Sequence, residues 1–447
     1  MPTAKTQSLL FGAALLTATQ IFSHAVGFFF RVVLSRQIGA EGMGLYQLVM
    51  PVYSVVMSVT LYGLTVAVQR LSASYGAVGE RGASRRVTRL ALQIFFILLG
   101  LLSLFAAPFS DWISVHLLSD ARTRMGLLLL LPCIFFTGIE NIYKNYFYGI
   151  QDVRPPAITE VVEQLLRCVC VLTLLAVLRP AYPEKTVGVI VAGMVLCEIA
   201  SALMLTVFYR RHKKRERVVR RDVSIPDRAI LREIRKIAIP VSLSSLARNL
   251  LGSVNTIIIP GRLMVSGMGQ TEALSAYGVA FGMTMPLVAL PIVFAIPISL
   301  TISPRLARLA ALGRGTAGQI AKALGIAAAL VIPACLALIV WGRPLSRFLF
   351  GDPNAGEFVE ILAVTQIFGC FQYLTAGFLN ALGRQNQAAF NILITDAAQL
   401  ALTWYAVAQP HIRLTGFVTA TLATTVIGAA LNLWSLFGKP DKRVGGG

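Results

Sequence analysis

Arg210–Lys236 reads RRHKKRERVVRRD, then VS, then IPDRAILREIRK, and carries twelve Lys or Arg against four acids. A run so charged is expelled from lipid, so it must stand in water. On both sides of it the chain changes character. Before it lie apolar runs near 9–31, 45–68, 89–109, 126–149, 157–178 and 187–209; after it come 237–260, 276–300, 322–342, 358–382, 388–408 and 415–437. Each is about as long as the roughly 20 apolar residues that a membrane helix needs. They are too long for barrel strands, whose membrane segments are about 9–11 residues of alternating polarity. The basic stretch therefore divides twelve candidate spans six and six. The expected organisation is an N-lobe over 1–209, a basic cytoplasmic linker over 210–236 and a C-lobe over 237–447. Within the linker, Ile230, Leu231 and Ile234, with Ile237 just beyond, recur at helical spacing, and this predicts an amphipathic helix on the inner membrane surface.

Composition agrees. Of 447 residues, 56% are hydrophobic and only 13% charged, and mean hydropathy is +0.72. Soluble domains carry roughly 25% charged residues. The formal net charge of +20 invites a nucleic-acid reading, but its distribution excludes one. With the N-terminus inside a twelve-span chain, and the residues at the very ends of runs (Arg31, Arg89, Lys322) counted with the adjoining loops, 27 Lys or Arg fall in inside segments, ten in outside segments and three within spans. That asymmetry is the positive-inside signature, and it predicts both termini in the cytoplasm. The six cysteines all lie in apolar runs, where free Cys behaves as a small hydrophobe. Cys168 and Cys170 are two apart and point to different sides of a helix, so no metal site is expected. The first apolar run is read as a retained helix rather than a cleaved signal.

The halves also resemble each other. Met50-Pro51 and Met285-Pro286 are 235 residues apart, as are Arg70-Leu71 and Arg305-Leu306, and Arg31 and Arg262 are 231 apart. Six spans per half give the copies the same orientation, the arrangement of a parallel-repeat transporter.

Ionisable residues inside spans are the functional candidates. Glu140 and Lys144, and likewise Glu163 and Arg167, stand at i,i+4, where each pair neutralises itself on one helix face. Arg248 differs. It lies mid-span in SLSSLARNLLGSVN (Ser242–Asn255), with no acid within a helical turn. Two readings compete: a cation lining a wet cavity, or a partner of Glu198 or Asp396, which also have no local counter-charge. Arg31 and Arg36 close the first span, where snorkelling to headgroups competes with a functional role. His24 reads as a hydrogen-bonded interior residue. Pro286, Pro291 and Pro297 crowd the eighth span, and Pro240 enters the seventh, predicting bent helices. No phosphate-binding glycine loop, zinc-spaced histidines or nucleophile elbow is present, so no enzyme activity and no cofactor are expected.

Several stretches resemble one family. VGFFFRVVLSRQIGAEGMGLYQLVMPVYSVVMSVTLYGLTVAVQRLSASY (Val26–Tyr75) is similar to the opening of the stage V sporulation protein B group, polysaccharide exporters of the multidrug/oligosaccharidyl-lipid/polysaccharide superfamily. NYFYGIQDVRPPAITEVVEQLLR (Asn145–Arg167), Ala238–Gly269, Tyr277–Ala307 and GFLNALGRQNQAAF (Gly377–Phe390) extend the resemblance over both halves. It implies an all-α polytopic protein of about twelve transmembrane helices, in two parallel-repeat six-helix lobes around a central cavity. It also implies a flippase role for an anionic undecaprenyl-pyrophosphate-linked sugar. Arg248, with Arg31 and Arg262 nearer the outer opening, is the expected substrate contact, because planar guanidinium forks suit the oxygens of a pyrophosphate. Glu163, Arg167, Glu198 and Asp396 are the candidates for coupling to protons or sodium, or else for structural pairing. In the related lipid II flippases an Arg followed by Asp ends the first helix, whereas this chain has Arg31-Val32; upstream it has Ser23-His24 in place of a serine-arginine pair. That branch also carries additional spans. These differences weigh against lipid II in particular and leave an anionic lipid-linked sugar in general. A drug or cation antiporter would rely on cavity carboxylates such as Glu198 and Asp396. A scaffold in envelope or spore assembly would need no buried unpaired charge.

Overall fold

The structure, a computed structural model, describes residues 4–78, 80–106, 108–180, 182–216 and 225–438. The middle of the basic linker, 217–224, and the basic C-terminal tail, 439–447, lie outside the described residues. All regular structure among the described residues is helical. In chain order, α1 (Ala4–Met57) continues through a π-helical turn (Ser58–Tyr62) into α2 (Gly63–Ala77). Then follow α3 (Arg81–Ala106), a short α4 (Ser110–Trp112), α5 (Arg124–Gly149), α6 (Arg154–Leu178), α7 (Pro183–Glu216) and α8 (Asp227–Val265). The remainder comprises α9 (Gln270–Tyr277), α10 (Met285–Val288), α11 (Ile292–Ala311), α12 (Ala317–Phe350), α13 (Val359–Ala381), α14 (Gln385–Ala406) and α15 (Leu414–Phe437).

Among the described residues, ten stretches are long and apolar enough to cross a membrane. One of them, Leu15–Ala77, runs for 63 residues, far beyond the roughly 20 that a span needs. It breaks at Gly39, whose φ of 70° and ψ of −177° suit glycine and strain any other residue. Two spans therefore meet there. α14 is a further membrane-length helix of 22 residues, and its Asn391, Asp396 and Gln399 lower its hydropathy. With these, the protein is a polytopic α-helical membrane protein of twelve spans.

The structure alters two details of the sequence reading. The eighth span is not one rod over 276–300. It is assembled from α9, a π-helical segment (Gly278–Thr284), α10 and α11, with a break at 289–291. Pro286 and Pro291 supply no N–H to the helical ladder, which is why the rod breaks where it does. The linker's second half is likewise no separate surface helix, because α8 is continuous from Asp227 to Val265. Ile230 and Ile234, expected to face lipid, are fully buried in protein.

The described residues fold as two compact units. Unit 1 comprises Met1–Ile38 and Leu45–Ile257; unit 2 comprises Gly39–Gly44 and Ile258–Gly447. Unit 1 thus takes in most of α8, a helix that the six-and-six division counts with the second lobe. In unit 1, α7 packs on α5 and α6, and α2 packs on α3 and α5. Gly138 of α5 lets the buried ring of Phe95 on α3 lie directly on its backbone, where a Cβ would overlap the ring. α8 approaches α2 as closely: Gly63 lies under the Ala238 carbonyl and the Ser242 hydroxyl. In unit 2, α13 packs on α11, α12 and α15. Its core includes Leu306, Ile320, Val331, Cys335, Cys370 and Phe378, so these cysteines are packing residues.

Candidate functional site

Five charged side chains from three helices meet inside unit 1. On α5, Lys144 Nζ lies 2.5 Å from Glu140, one turn earlier, and 3.0 Å from Glu163 on α6. Arg167, one turn after Glu163, reaches it at 2.6 Å and reaches Glu198 on α7 at 3.0 Å. The order is Glu140, Lys144, Glu163, Arg167, Glu198, and central Glu163 gives one oxygen to each cation. Helix spacing predicted two self-contained pairs. The packing of α5 and α6 on α7 joins them and supplies Glu198 with a partner from another helix.

Glu140 is 1% exposed and Glu198 3%, so water does not screen these charges. Oxygens of Glu140, Glu163 and Glu198 all lie within 4.8 Å of one another. Glu198 Oε2 and Arg167 Nε have no hydrogen-bond partner among the described residues. Three carboxylates against two cations leave one negative charge in excess. A buried, uncompensated charge costs several kcal/mol.

Arg248 lies on α8 and is exposed. No ion pair or hydrogen bond reaches it among the described residues, and the oxygen of Glu198 that meets a cation meets Arg167. Its helix is held in unit 1 by its polar neighbours: Asn249 Nδ2 donates to Ser58 Oγ at 2.7 Å, and Ser253 Oγ donates to the Pro51 carbonyl at 3.2 Å. The polar stripe seen in the sequence therefore does two jobs. Asn249 and Ser253 tie α8 to α1 and its π turn, while Arg248 stays uncovered. Arg31, on α1, is half-buried and Arg36 is exposed.

The remaining candidates lie in unit 2. Arg262, in the last turn of α8, donates its Nε proton to the Trp404 carbonyl at 2.9 Å, and its guanidinium lies 4.3 Å from the centre of the Trp404 ring. Such stacking contributes about 0.5–2 kcal/mol, so Arg262 has a structural role at the end of α14. Asp396 is half-buried on α14. Sequence reasoning missed the amide ladder around it. Asn391 donates to Asn432 at 2.9 Å and to Ser435 at 3.1 Å, Asn432 donates to the Gln372 carbonyl at 3.2 Å, and Gln399 donates to Thr421 at 3.0 Å. Only the amides of α14 hinted at it, because their partners are on α13 and α15.

Comparison with known proteins agrees with this architecture. Stage V sporulation protein B of Bacillus subtilis (strain 168) is 26% identical over 442 residues, covering 95% of this chain and 83% of its own. The inward closed form of the lipid II flippase MurJ superposes with a TM-score of 0.72 at 14% identity, covering 95% of this chain and 87% of that one. An inward-facing multidrug resistance MATE family transporter of the MOP superfamily also gives 0.72, at 15% identity and over 93% and 94% of the two chains. The fold is thus that of the MOP superfamily. The family model of polysaccharide biosynthesis proteins matches residues 9–310, about two thirds of the chain, and the chain belongs to that family.

Proposed function

We propose that the protein translocates an anionic, undecaprenyl-pyrophosphate-linked sugar across the bacterial cytoplasmic membrane by alternating access, with both termini in the cytoplasm. At the coarser level, its family and fold make it a membrane flippase or exporter of polysaccharide or lipid-linked precursors. A curated relative at 21% identity is itself a lipid II flippase, which supports a lipid-linked substrate. The observation that carries the anionic charge is Arg248, an exposed guanidinium without a partner among the described residues, in the middle of a membrane helix. Such a cation costs about 2.5–3.5 kcal/mol even on the lenient insertion scale. A substrate phosphate offsets that cost, because the planar fork matches two phosphate oxygens at once. Arg31 is the second contact we assign. Arg262 is a third, through the guanidinium nitrogens that its Trp404 bond leaves open.

In reconstituted vesicles, Arg248→Ala should abolish flipping of a pyrophosphate-linked lipid, and Arg248→Lys should restore only part, since a point charge replaces a fork. Full activity in a correctly inserted Arg248→Ala variant would overturn this reading. A second reading, cation-driven exchange, is favoured by the Glu140–Glu163–Glu198 cluster. Both operate in one molecule if the cluster, or Asp396 in unit 2, takes up the driving proton or sodium ion while Arg248 engages the substrate.

A further inference from the structure

The first span is open on two opposite faces. Phe22, Ala25 and Phe29 of α1 are exposed on one side, an apolar stripe suited to lipid. Gln20, His24, Gly27 and Arg31 recur at steps of four, three and four residues and so share the other side. Gln20 and His24 are exposed there, and Arg31 is half-buried. His24, expected in the interior, is therefore at the surface of this face. α6 offers a matching stripe. Glu160, Gln164 and Arg167 share one face of it, while Ile158, Leu165 and Val169 are exposed on the other. Gln20 Nε2 donates to Glu160 Oε1 at 2.8 Å, and a Cβ on Gly27 would lie 3.1 Å from Gln164 Nε2. The polar faces of α1 and α6 thus run side by side within unit 1, and Gly27 leaves room for the Gln164 amide.

Polar side chains inside a span have a structural explanation when packing buries them against partners. The Gln20–Glu160 bond is such a pairing, yet Gln20 and His24 stay exposed, so the seam is not closed into the protein. Its chemistry names what it suits. Glu160 puts a carboxylate where a phosphate would be repelled, because like charges brought together are strongly unfavourable. Sugar hydroxyls are both donors and acceptors. They donate to the carboxylate and accept from the amide N–H groups of Gln20 and Gln164, and the His24 ring does either. By helix rise, His24 is about 10 Å and Gln20 about 16 Å along α1 from Arg31. That separation puts the uncharged part of a substrate on the stripe when its phosphates are at Arg31.

We propose that Gln20, His24, Glu160 and Gln164 form a subsite for the hydroxyl-bearing sugar of the transported lipid, along α1 from the guanidinium of Arg31. This subsite presupposes the flippase reading, in which Arg31 and Arg248 are phosphate contacts. Selectivity for the sugar then belongs to α1 and α6, and affinity for the diphosphate to the guanidinium groups.

The test is native mass spectrometry of the full chain released from nanodiscs, titrated with undecaprenyl diphosphate and with the same lipid carrying N-acetylglucosamine, glucose or galactose in turn. The wild type should bind at least one sugar-bearing probe about tenfold more tightly than the bare diphosphate, the effect of one well-made hydrogen bond. The double variant His24→Leu, Gln164→Leu should bring the two affinities together. His24→Gln, which keeps a donor and an acceptor, should retain most of the preference, and Phe29→Leu on the opposite face should retain all of it. Arg248→Ala should weaken both kinds of probe alike. Equal affinity of the wild type for bare and sugar-bearing lipids would overturn the subsite and leave the flippase reading standing. So would a preference that survives in the double variant, or a loss there that is equal for both kinds of probe. Binding of neither kind by the wild type would overturn the flippase reading itself. Thermal unfolding in detergent checks the fold of the double variant, and His24→Leu alone should narrow the preference in the same direction without the paired change.

Discussion

Glu163 holds Lys144 with one oxygen and Arg167 with the other, so the five-residue cluster answers differently to the loss of a cation and of an acid. Arg167→Met leaves Glu163 and Glu198 facing each other without their shared counter-charge. Breaking a buried pair in this way costs about 3–5 kcal/mol, and a large fall in thermal unfolding temperature in detergent should report it. Glu198→Gln removes the excess negative charge and keeps an oxygen for Arg167, so unfolding should move by less than about 1 kcal/mol. If the cluster couples transport, the same Gln variant should flip substrate without responding to an imposed proton or sodium gradient. Equal destabilisation by both variants, with gradient response intact in Glu198→Gln, would assign the cluster to structure alone.

At the scale of the element, the first two spans form one continuous helical run because a single residue takes the turn between them. Gly39 has φ near 70° with ψ near 180°, a region that only glycine enters without strain. Nothing lies within 4 Å of the position that a Cβ would occupy, so a substitution there tests backbone strain without steric clash. Gly39→Ala should cost about 1–3 kcal/mol, measured as a lower unfolding temperature. The effect should be nearly absent for Gly76→Ala, at an equally open helical position. The broken eighth span shows the opposite case. There two prolines remove donors, and the chain yields by segmenting rather than by turning.

At the scale of the whole molecule, the charge pattern makes a claim about sides. Gly269, before α9, and Gly315, before α12, are both exposed and are separated by the segmented eighth span. Cysteines placed there, in a background without native Cys, should react with a membrane-impermeant thiol reagent from opposite faces, Gly269→Cys from outside. Reaction from one face would remove the twelve-span topology and with it the cytoplasmic termini. The same topology gives the driving force a sign. Moving charge across an inside-negative membrane is worth about 2.3 kcal/mol per elementary charge per 100 mV. A pyrophosphate headgroup carrying about two negative charges gains roughly 4–5 kcal/mol on outward movement. An inside-negative potential should therefore accelerate flipping in vesicles, and collapsing it should slow flipping.

The number of spans and the pairing of Glu140 with Lys144 and of Glu163 with Arg167 were legible in the chain, as was an expectation of the side each loop faces. Each depends on local physics: the transfer cost of a 20-residue window, the charge of a short loop, or the 3.6-residue period that puts i and i+4 on one face. Glu198 was seen as a buried acid without a local partner. That it meets Arg167, 31 positions away, was decided by how α6 and α7 rotate against each other. The stacking of Arg262 on Trp404 and the amide ladder of unit 2 are of the same kind. A helix's sequence states which residues share a face, but the rotation and tilt that aim that face at a neighbour come from packing at places such as Gly138 under Phe95 and Gly63 under Ala238. Membrane sequences keep those contacts least visible, since a lipid-facing leucine and a helix-facing leucine read alike. Only the folded chain separates them.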